Sequence, residues 1–382
     1  YMFLSNKTQL VAIDIGSSSI KLVQLSELKG GKGFELTHFG VMPLAEESIV
    51  EGVIKKPELV AQALQSLLKA EKIQSNYAAS AVGGEAVFIK KIKVPVMPEE
   101  ELSTKITEEA GQYIPFDIDD VALDFQILGV VEEEQLEEPV GSTESAGDAE
   151  SHDDAEKESP DSVGMMEVLL VAVQREVIDE RSDILVDAGL KPVVIDLNVF
   201  ALMNAAQLTH DLSTLGTTAL VDLGDSFTHI NIVQDGAMGY TRDIPVGGAY
   251  CSKMLMSKFK VPFNQTLDIK RGKFDSDLKE EEVIEVIAKA YTKVLEEIQK
   301  SFEYFGTLSG NPIEKVLLCG GGSMIQGLDA FFADYLKLPV EILNPMQGVK
   351  INPKNFDQLL IDEMGSLSAV ALGLAIRRFD HS

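Results

Sequence analysis

Ile13-Asp-Ile-Gly-Ser-Ser-Ser-Ile-Lys-Leu-Val23 has an echo far downstream in Val221-Asp-Leu-Gly-Asp-Ser-Phe-Thr-His-Ile-Asn231. At one constant offset Asp14 falls on Asp222, Gly16 on Gly224, Ser18 on Ser226 and Leu22 on Ile230. Each copy reads as a strand, a tight turn of small residues and a second strand of alternating pattern, which predicts a β-hairpin. One copy can arise by chance. Two copies, each opening a mixed α/β stretch, predict two similar halves facing each other.

The hairpins carry chemistry as well as shape. An acidic side chain ends the first strand of each, Asp14 and Asp222, and small residues follow: Gly16, Ser17, Ser18 and Ser19, then Gly224, Asp225 and Ser226. Glycine lets the backbone approach an anion closely, and the next N–H and hydroxyl groups can donate to phosphate oxygens. Magnesium keeps most of its waters and uses few protein carboxylates, so Asp14 and Asp222 suit an ion held through water. Lys21 lies on the same side of its strand as Ser19, where its ammonium can point at a β-phosphate. A single Asp-Gly-Ser turn is as readily structural. Two of them, with the glycine turn described next, predict nucleotide binding, although neither G-x-x-x-x-G-K-[ST] nor G-x-G-x-x-G occurs.

That third turn is Gly320-Gly-Gly-Ser323, placed after a buried strand over residues 314–319 and before a helix predicted from about 324 to 335. Helical periodicity also marks Pro57–Ala70, through Leu59, Ala63, Leu64, Leu67 and Leu68. A long amphipathic helix follows over 280–305, with Val283, Ile287, Ala290, Tyr291, Val294, Ile298, Phe302 and Phe305 on one core-facing stripe.

Residues 132–161 hold thirteen acidic side chains against Lys157 and have almost nothing to bury, which predicts a solvated loop joining strands over 121–130 and 165–173. The alternative is an acidic docking segment for a basic partner. The net charge of −28 argues against a nucleic-acid binder and against direct docking on anionic lipid. The most apolar stretches, 165–173 and 368–376, are about half the roughly 20 residues of a spanning helix. Direct membrane insertion is therefore not expected. Cys251 and Cys319 sit inside apolar runs without metal-type spacing and read as small core residues, as in a reducing compartment.

Taken in order, these segments resemble the actin-like ATP-binding superfamily over the whole chain. Asp14 to Lys21 resembles its first phosphate motif and Asp222 to His229 its second. Leu318-Cys-Gly-Gly-Gly-Ser-Met-Ile-Gln-Gly327 is similar to its adenosine motif, with Gly320, Gly321, Gly322 and Ser323 at the nucleotide and Met324 against the base. Asp268-Ile-Lys-Arg271 resembles the helix that lines ribose and adenine with Lys270 and Arg271. Val194-Ile-Asp-Leu-Asn-Val-Phe-Ala201 and residues 365–377 stand where the two connecting helices belong. The resemblance implies an actin-like (ribonuclease H-like) duplicated α/β fold of two domains around a nucleotide cleft, with ATP and Mg2+ as ligands. It also implies water positioning by Asp14, Asn198, Asp222 and His229. Asn198 stands where the superfamily carries Gln or Glu; being shorter, it implies slow hydrolysis at most.

Within the superfamily the FtsA and PilM branch is the most similar, through an insertion after the first phosphate motif. Val82-Gly-Gly-Glu-Ala-Val-Phe-Ile-Lys-Lys-Ile-Lys-Val-Pro95, Tyr113-Ile-Pro-Phe116 and Leu123-Asp-Phe-Gln-Ile-Leu128 resemble the PilM family. Residues 377–382 are too short for the amphipathic membrane helix that ends FtsA. The implied division is a first subdomain of 7–82, 178–212 and 350–382, an inserted subdomain of 83–177, a second core of 213–250 and 312–349, and a helical nucleotide-capping subdomain of 251–311. PilM proteins are cytoplasmic members of the type IV pilus inner-membrane platform that hold the N-terminal cytoplasmic tail of PilN. The resemblance therefore implies that partner, other platform proteins and the assembly motor, and a peripheral place at the inner membrane. For the PilN groove it points to Val87, Ile89, Ile114, Pro115 and Phe116. Two alternatives stand beside this reading. One is an FtsA-like polymer-forming division protein; the other is a small-molecule kinase of the same superfold, for which no acceptor pocket with a positioned base is visible.

Overall fold

The computed structural model describes residues 10–131, 164–274 and 277–377. In chain order it runs β1 (Val11–Ile15), β2 (Ser19–Glu27), β3 (Phe34–Pro43), the short β4 (Ile49–Val50) and β5 (Val53–Ile54), α1 (Pro57–Ala70) and β6 (Tyr77–Val82). Next come β7 (Val87–Pro95), α2 (Glu99–Glu109), β8 (Val121–Val131) and β9 (Met165–Gln174), followed by α3 (Arg175–Asp187), β10 (Lys191–Leu197) and α4 (Asn198–Ala206). The remainder is β11 (Thr218–Leu223), β12 (Thr228–Gln234), β13 (Ala237–Ile244), α5 (Gly248–Phe259), α6 (Phe263–Lys270), α7 (Glu280–Ser309), β14 (Lys315–Cys319), α8 (Leu328–Leu336), β15 (Val340–Ile342), α9 (Gln358–Met364) and α10 (Ala369–Ala375).

Two sheets share one topology. The first has the order β10-β6-β1-β2-β3 and the second β13-β12-β11-β14-β15. In each, three consecutive strands form an antiparallel meander and two later strands add in parallel to its first strand. The repeat extends to register: Asp14 pairs with Lys21 in β1–β2, and Asp222 pairs with His229 in β11–β12. His229 thus occupies the place of Lys21 in the second half, a correspondence carried by the same offset that relates the two motifs.

Alternation along β1 and β2 sends residues to opposite faces. Ile13, Ile15, Ile20 and Leu22 meet α1 and α3, while Ala12, Val23 and Ala79 meet α4 and α10. The second sheet buries Val221, Ile230 and Leu318 against α5, α7 and α8. Helices α4 and α10 lie in the middle of this unit: Ala201 packs toward the first sheet, and Leu202, Ala205 and Ala369 toward the second. Cys251 and Cys319 are both buried. On α1 the buried face is Val60, Ala61, Leu64 and Leu67, and Leu59, expected on it, is exposed. Val60 and Ala61 instead join the core that holds Ile13, Ile20 and Leu22.

The chain separates into two compact units, Tyr1–Glu85 with Val177–Ser382, and Ala86–Glu176. In the second unit β9 is the central strand of an antiparallel sheet of order β7-β9-β8, with α2 on one face. The acidic segment 132–161 lies outside the described residues, but the strands bracketing it, β8 and β9, pair directly with each other. Among the described residues no single helix is long and apolar enough to cross a membrane.

One local expectation is corrected. The glycine turn does not run straight into a helix: Gly321–Met324 form a single 3-10 turn, and α8 starts only at Leu328. Gly320 and Gly327 both have φ near +80°, at 81° and 77°. Each breaks the helical path where a side chain would be strained.

Candidate functional site

All groups of this site belong to the unit that contains both five-stranded sheets. Asp14 leaves the end of β1, and Lys21 reaches back from β2 to place its ammonium 3.2 Å from the Asp14 carboxylate. Gly16 makes this possible, since a Cβ there would lie 2.8 Å from Lys21 Nζ. The second half builds a row of three in-register residues across β11, β12 and β13: Asp222, His229 and Asp243. His229 Nδ1 lies 2.6 Å from Asp243 Oδ1. Asp14 and Lys21 are close enough to this row to act electrostatically on Asp222. Folding therefore brings the two quoted motifs together.

Charge within the cluster is unevenly shared. Burial pushes the Asp222 carboxyl up, against the opposing pull of His229 and Lys21. Burial also disfavours charge on His229, yet the hydrogen bond and charge of Asp243, with the carboxylates of Asp222 and Asp14, outweigh it and push its pKa up to about 9. Asp243 moves down in answer, because the His229 bond and charge and a Gly84 backbone donor overcome its own burial. His229 is consequently an imidazolium at neutral pH, a second cation in the position of Lys21.

The sign for stability follows from that direction. Between its ordinary value of 6.5 and about 9 the folded chain holds a proton that the unfolded chain has released. The His229 contribution is full below pH 6.5 and is lost as pH rises through about 9. The unfolding midpoint, followed from pH 6 upward, should fall across this window, and Asp243→Asn should flatten the fall. A parallel decline in parent and variant would show that other groups cause it.

The residues expected beside the adenosine come from three segments. Asp225, raised by burial and opposed by Lys270, Lys21 and Lys253, stands at the β11–β12 turn. The Gly248 N–H donates to the Gly224 carbonyl at 2.9 Å, which fixes the start of α5 beside that turn. Lys270, at the end of α6, donates to the Gly248 carbonyl at 3.2 Å, whereas Arg271 caps the helix and is exposed. In the glycine turn Ser323 donates from its hydroxyl to the Gly320 carbonyl at 2.7 Å. Gly320 has no room for a Cβ, which would overlap the Asp222 carboxylate. Ser19, Gly320, Gly322 and Ser323 are buried, Ser17, Ser226 and Met324 half-buried, and Ser18 and Gly321 exposed. Asn198 opens α4 with its amide over Gly83, where a Cβ would approach Nδ2 to 2.6 Å.

These residues fit a phosphate chain with a divalent ion. Carboxylates alternate with cations, and bare backbone at Gly16, Gly224 and Gly320 occupies positions a Cβ would fill. Among the described residues no group of three or more His, Cys, Asp or Glu is gathered as a metal cage. An ion here would take its remaining ligands from phosphate and water.

Two members of the cluster escaped the reading of the sequence. Asp243 had a signal in the Asp235-Gly236 turn, which marks a hairpin. Counting from it gives the wrong partner, because a bulge between Ile232 and Val233 shifts the register and replaces Arg242 with Asp243 opposite His229. Arg181, on α3, donates from Nη1 to the Ile15 carbonyl at 3.2 Å. No local pattern marks it.

The residues expected at the peptide groove lie in the second unit. Along β7, Phe88, Ile92 and Val94 face the core under α2, so Val87 and Ile89 project from the other side of the sheet. Ile114 is itself core, 6% exposed, beside Ile92 and Leu170. Phe116 packs against that same core, and Pro115 is exposed. Val87 and Ile89 thus lie on the face of the sheet away from the core that Ile114 and Phe116 join.

Comparison with known proteins places this geometry in context. A family model described as type IV pilus assembly protein PilM matches residues 12–140 and 154–379. A chain of a solved PilM–PilN type IV pilus biogenesis complex superposes with a TM-score of 0.77 at 26% identity, covering 97% of this chain and 98% of that one. Ethanolamine utilization protein EutJ from Carboxydothermus hydrogenoformans shares the fold, with a TM-score of 0.50 at 15% identity over 96% of this chain and 89% of that one. EutJ of Salmonella typhimurium is 27% identical over 136 residues, 36% of this chain and 44% of the relative. That match spans less than half of the relative's length.

Proposed function

The chain belongs to the type IV pilus assembly protein PilM family, and on that premise we propose that it is an ATP-binding, actin-like scaffold of the type IV pilus inner-membrane platform. In this reading it holds the N-terminal cytoplasmic tail of a PilN-type membrane protein. It is then a cytoplasmic protein kept at the inner face of the inner membrane by that partner, in contact with other platform proteins and the assembly motor. The solved complex of PilM with PilN supports the partner. Family membership sets aside the division-polymer and kinase readings.

The observation that carries the nucleotide part is the meeting of the Asp14–Lys21 and Asp222–His229 pairs around bare glycine backbone. Bound ATP with its magnesium ion would supply a compact polyanion and its counter-ion at this site. Asp14 and Asp222 would face the metal's waters, Lys21 and His229 would donate to phosphate oxygens, and Lys270 and Met324 would line the nucleoside. The bond to Asp243 and the neighbouring carboxylates favour the protonated form of His229, which suits it to donate to a phosphate oxygen. With the short Asn198, this supports a site that retains ATP and turns it over slowly.

Calorimetry on the full chain, with Mg–ATP and with a synthetic partner tail, tests both halves of the proposal. The tail should bind with roughly micromolar affinity, since a few apolar anchors offset the ordering of an extended peptide. Ile89→Asp should abolish that binding and spare ATP. Ile89 is the better probe than Phe116, whose contact with the core would mix misfolding into the result. Equal tail binding by the Ile89→Asp variant would remove this face of β7 from the partner site.

A further inference from the structure

A partly buried guanidinium, that of Arg181, lies beside the first phosphate motif. Arg181 Nη1 donates to the Ile15 carbonyl at 3.2 Å, while its Nε is buried without a hydrogen-bond partner. Arginine keeps its charge in proteins, and a desolvated cation needs an anion near it. The strongest favourable charge on Arg181 is Asp14, followed by Glu180 on its own helix. Asp14 is also the residue that holds Lys21 at 3.2 Å. Asp14 therefore has one cation in contact, Lys21, and a second, Arg181, held on the carbonyl of the next residue, Ile15. Only Lys21, on the strand that leaves the small-residue turn, is set to meet a phosphate.

The second half provides an internal comparison. Leu223 corresponds to Ile15 by the offset between the motifs, and its carbonyl is crowded by the glycine turn: a Cβ on Gly320 would stand 2.7 Å from it. The parallel registers Ile13 with Ser80 and Val221 with Leu318 make Gly83-Gly84 the first-half counterpart of Gly321-Gly322. In the first half Asn198 lies over Gly83, and the Ile15 carbonyl is taken by Arg181. The duplication leaves this position free for a side chain in one half only.

We propose that Arg181 is a positioning residue of the nucleotide site: anchored on the Ile15 carbonyl, it gives Asp14 a standing cation, so that Lys21 can leave Asp14 for a phosphate without stranding a buried carboxylate. The inference rests on the nucleotide reading. Without Arg181, moving Lys21 would expose Asp14 to an uncompensated, partly buried charge. Lys21 would stay on Asp14, and the phosphate would lose its donor.

The test is titration of Mg–ATP, and of ATP in EDTA, into the full-length parent, Arg181→Gln, Arg181→Lys and the same changes combined with Asp14→Asn, with unfolding midpoints recorded beside them. Arg181→Gln should weaken Mg–ATP binding about tenfold, as for loss of a charged hydrogen bond. Arg181→Lys should restore part of the loss. In the Asp14→Asn background, read with ATP in EDTA so that the part Asp14 plays at the metal drops out, the effect of Arg181→Gln should shrink toward nothing, because there is no carboxylate left to hold. A purely structural arginine would lower the midpoint but leave affinity unchanged, or weaken it equally in both backgrounds; either result overturns the proposal. Should Arg181→Gln fail to fold, Arg181→Lys with and without Asp14→Asn still decides it. A parent that binds no Mg–ATP would refute the nucleotide reading itself; normal parent binding with an unchanged variant would refute only the role of Arg181.

Discussion

Asp222→Asn should weaken Mg–ATP binding by about a hundredfold, the loss expected when a charged group facing a metal–phosphate unit becomes neutral, yet leave the nucleotide-free chain as stable as the parent or more so. Burial is the largest influence on this carboxylate and works against its charge. The folded chain holds the ionised form at a cost that only partial pairing with His229 and Lys21 offsets. An asparagine of the same shape removes that cost. The sign is clear: a carboxyl raised in the folded state destabilises above its ordinary pKa, so the gain should appear at neutral pH and vanish in acid. Asp14→Ala should behave oppositely in stability, because it removes the ion-pair partner of Lys21 and an anion that favours the charge on Arg181. Both variants should lose nucleotide. Calorimetry with and without magnesium, beside thermal unfolding, separates the two aspartates. Unchanged Mg–ATP affinity in folded Asp222→Asn would remove it from the site.

Gly373→Ala should destabilise the fold by about 3 kcal/mol or more, at the upper end of overpacking effects. A Cβ at Gly373 would be driven into the backbone carbonyl of Ala201, with Ala201 Cα also 3.1 Å away. Neither atom is the end of a flexible side chain, so relief requires α4 and α10 to separate. Those helices carry the packing from one sheet to the other, through Ala201 and Val370 on one side and Leu202 and Ala369 on the other. The same substitution at Gly306 in α7 should have the reverse sign, a gain of up to about 1 kcal/mol from helix propensity. Its Cβ would meet only the Asn311 carbonyl at an ordinary 4.0 Å. Denaturant unfolding of the two variants decides the matter, and similar midpoints would refute the packing argument.

Both predictions concern glycines and acids that were visible at once in the chain, but for different reasons. The two hairpins, their offset and the acidic end of each first strand were legible in the sequence. Strand alternation, small-residue turns and helical periodicity are local, and they record which face of each element is buried. The duplication went further, since equal offsets predict equal registers, and Asp14–Lys21 and Asp222–His229 do pair alike. Membership of the family follows from the same local record, spread along the chain in order.

Only the tertiary structure decided what each of these residues touches. Arg181 meets Ile15 across 166 positions of sequence. Asp243 reaches His229 because a single bulge displaces a strand by one residue. Gly373 is a contact surface solely because α4 crosses at that point. In the inserted unit, Ile114 and Phe116 join the core, while Val87 and Ile89 take the other face of the sheet. Local free energies set element type, and they are written residue by residue. Charge compensation and close packing depend on distances between elements, which no stretch of sequence contains until the chain has closed on itself.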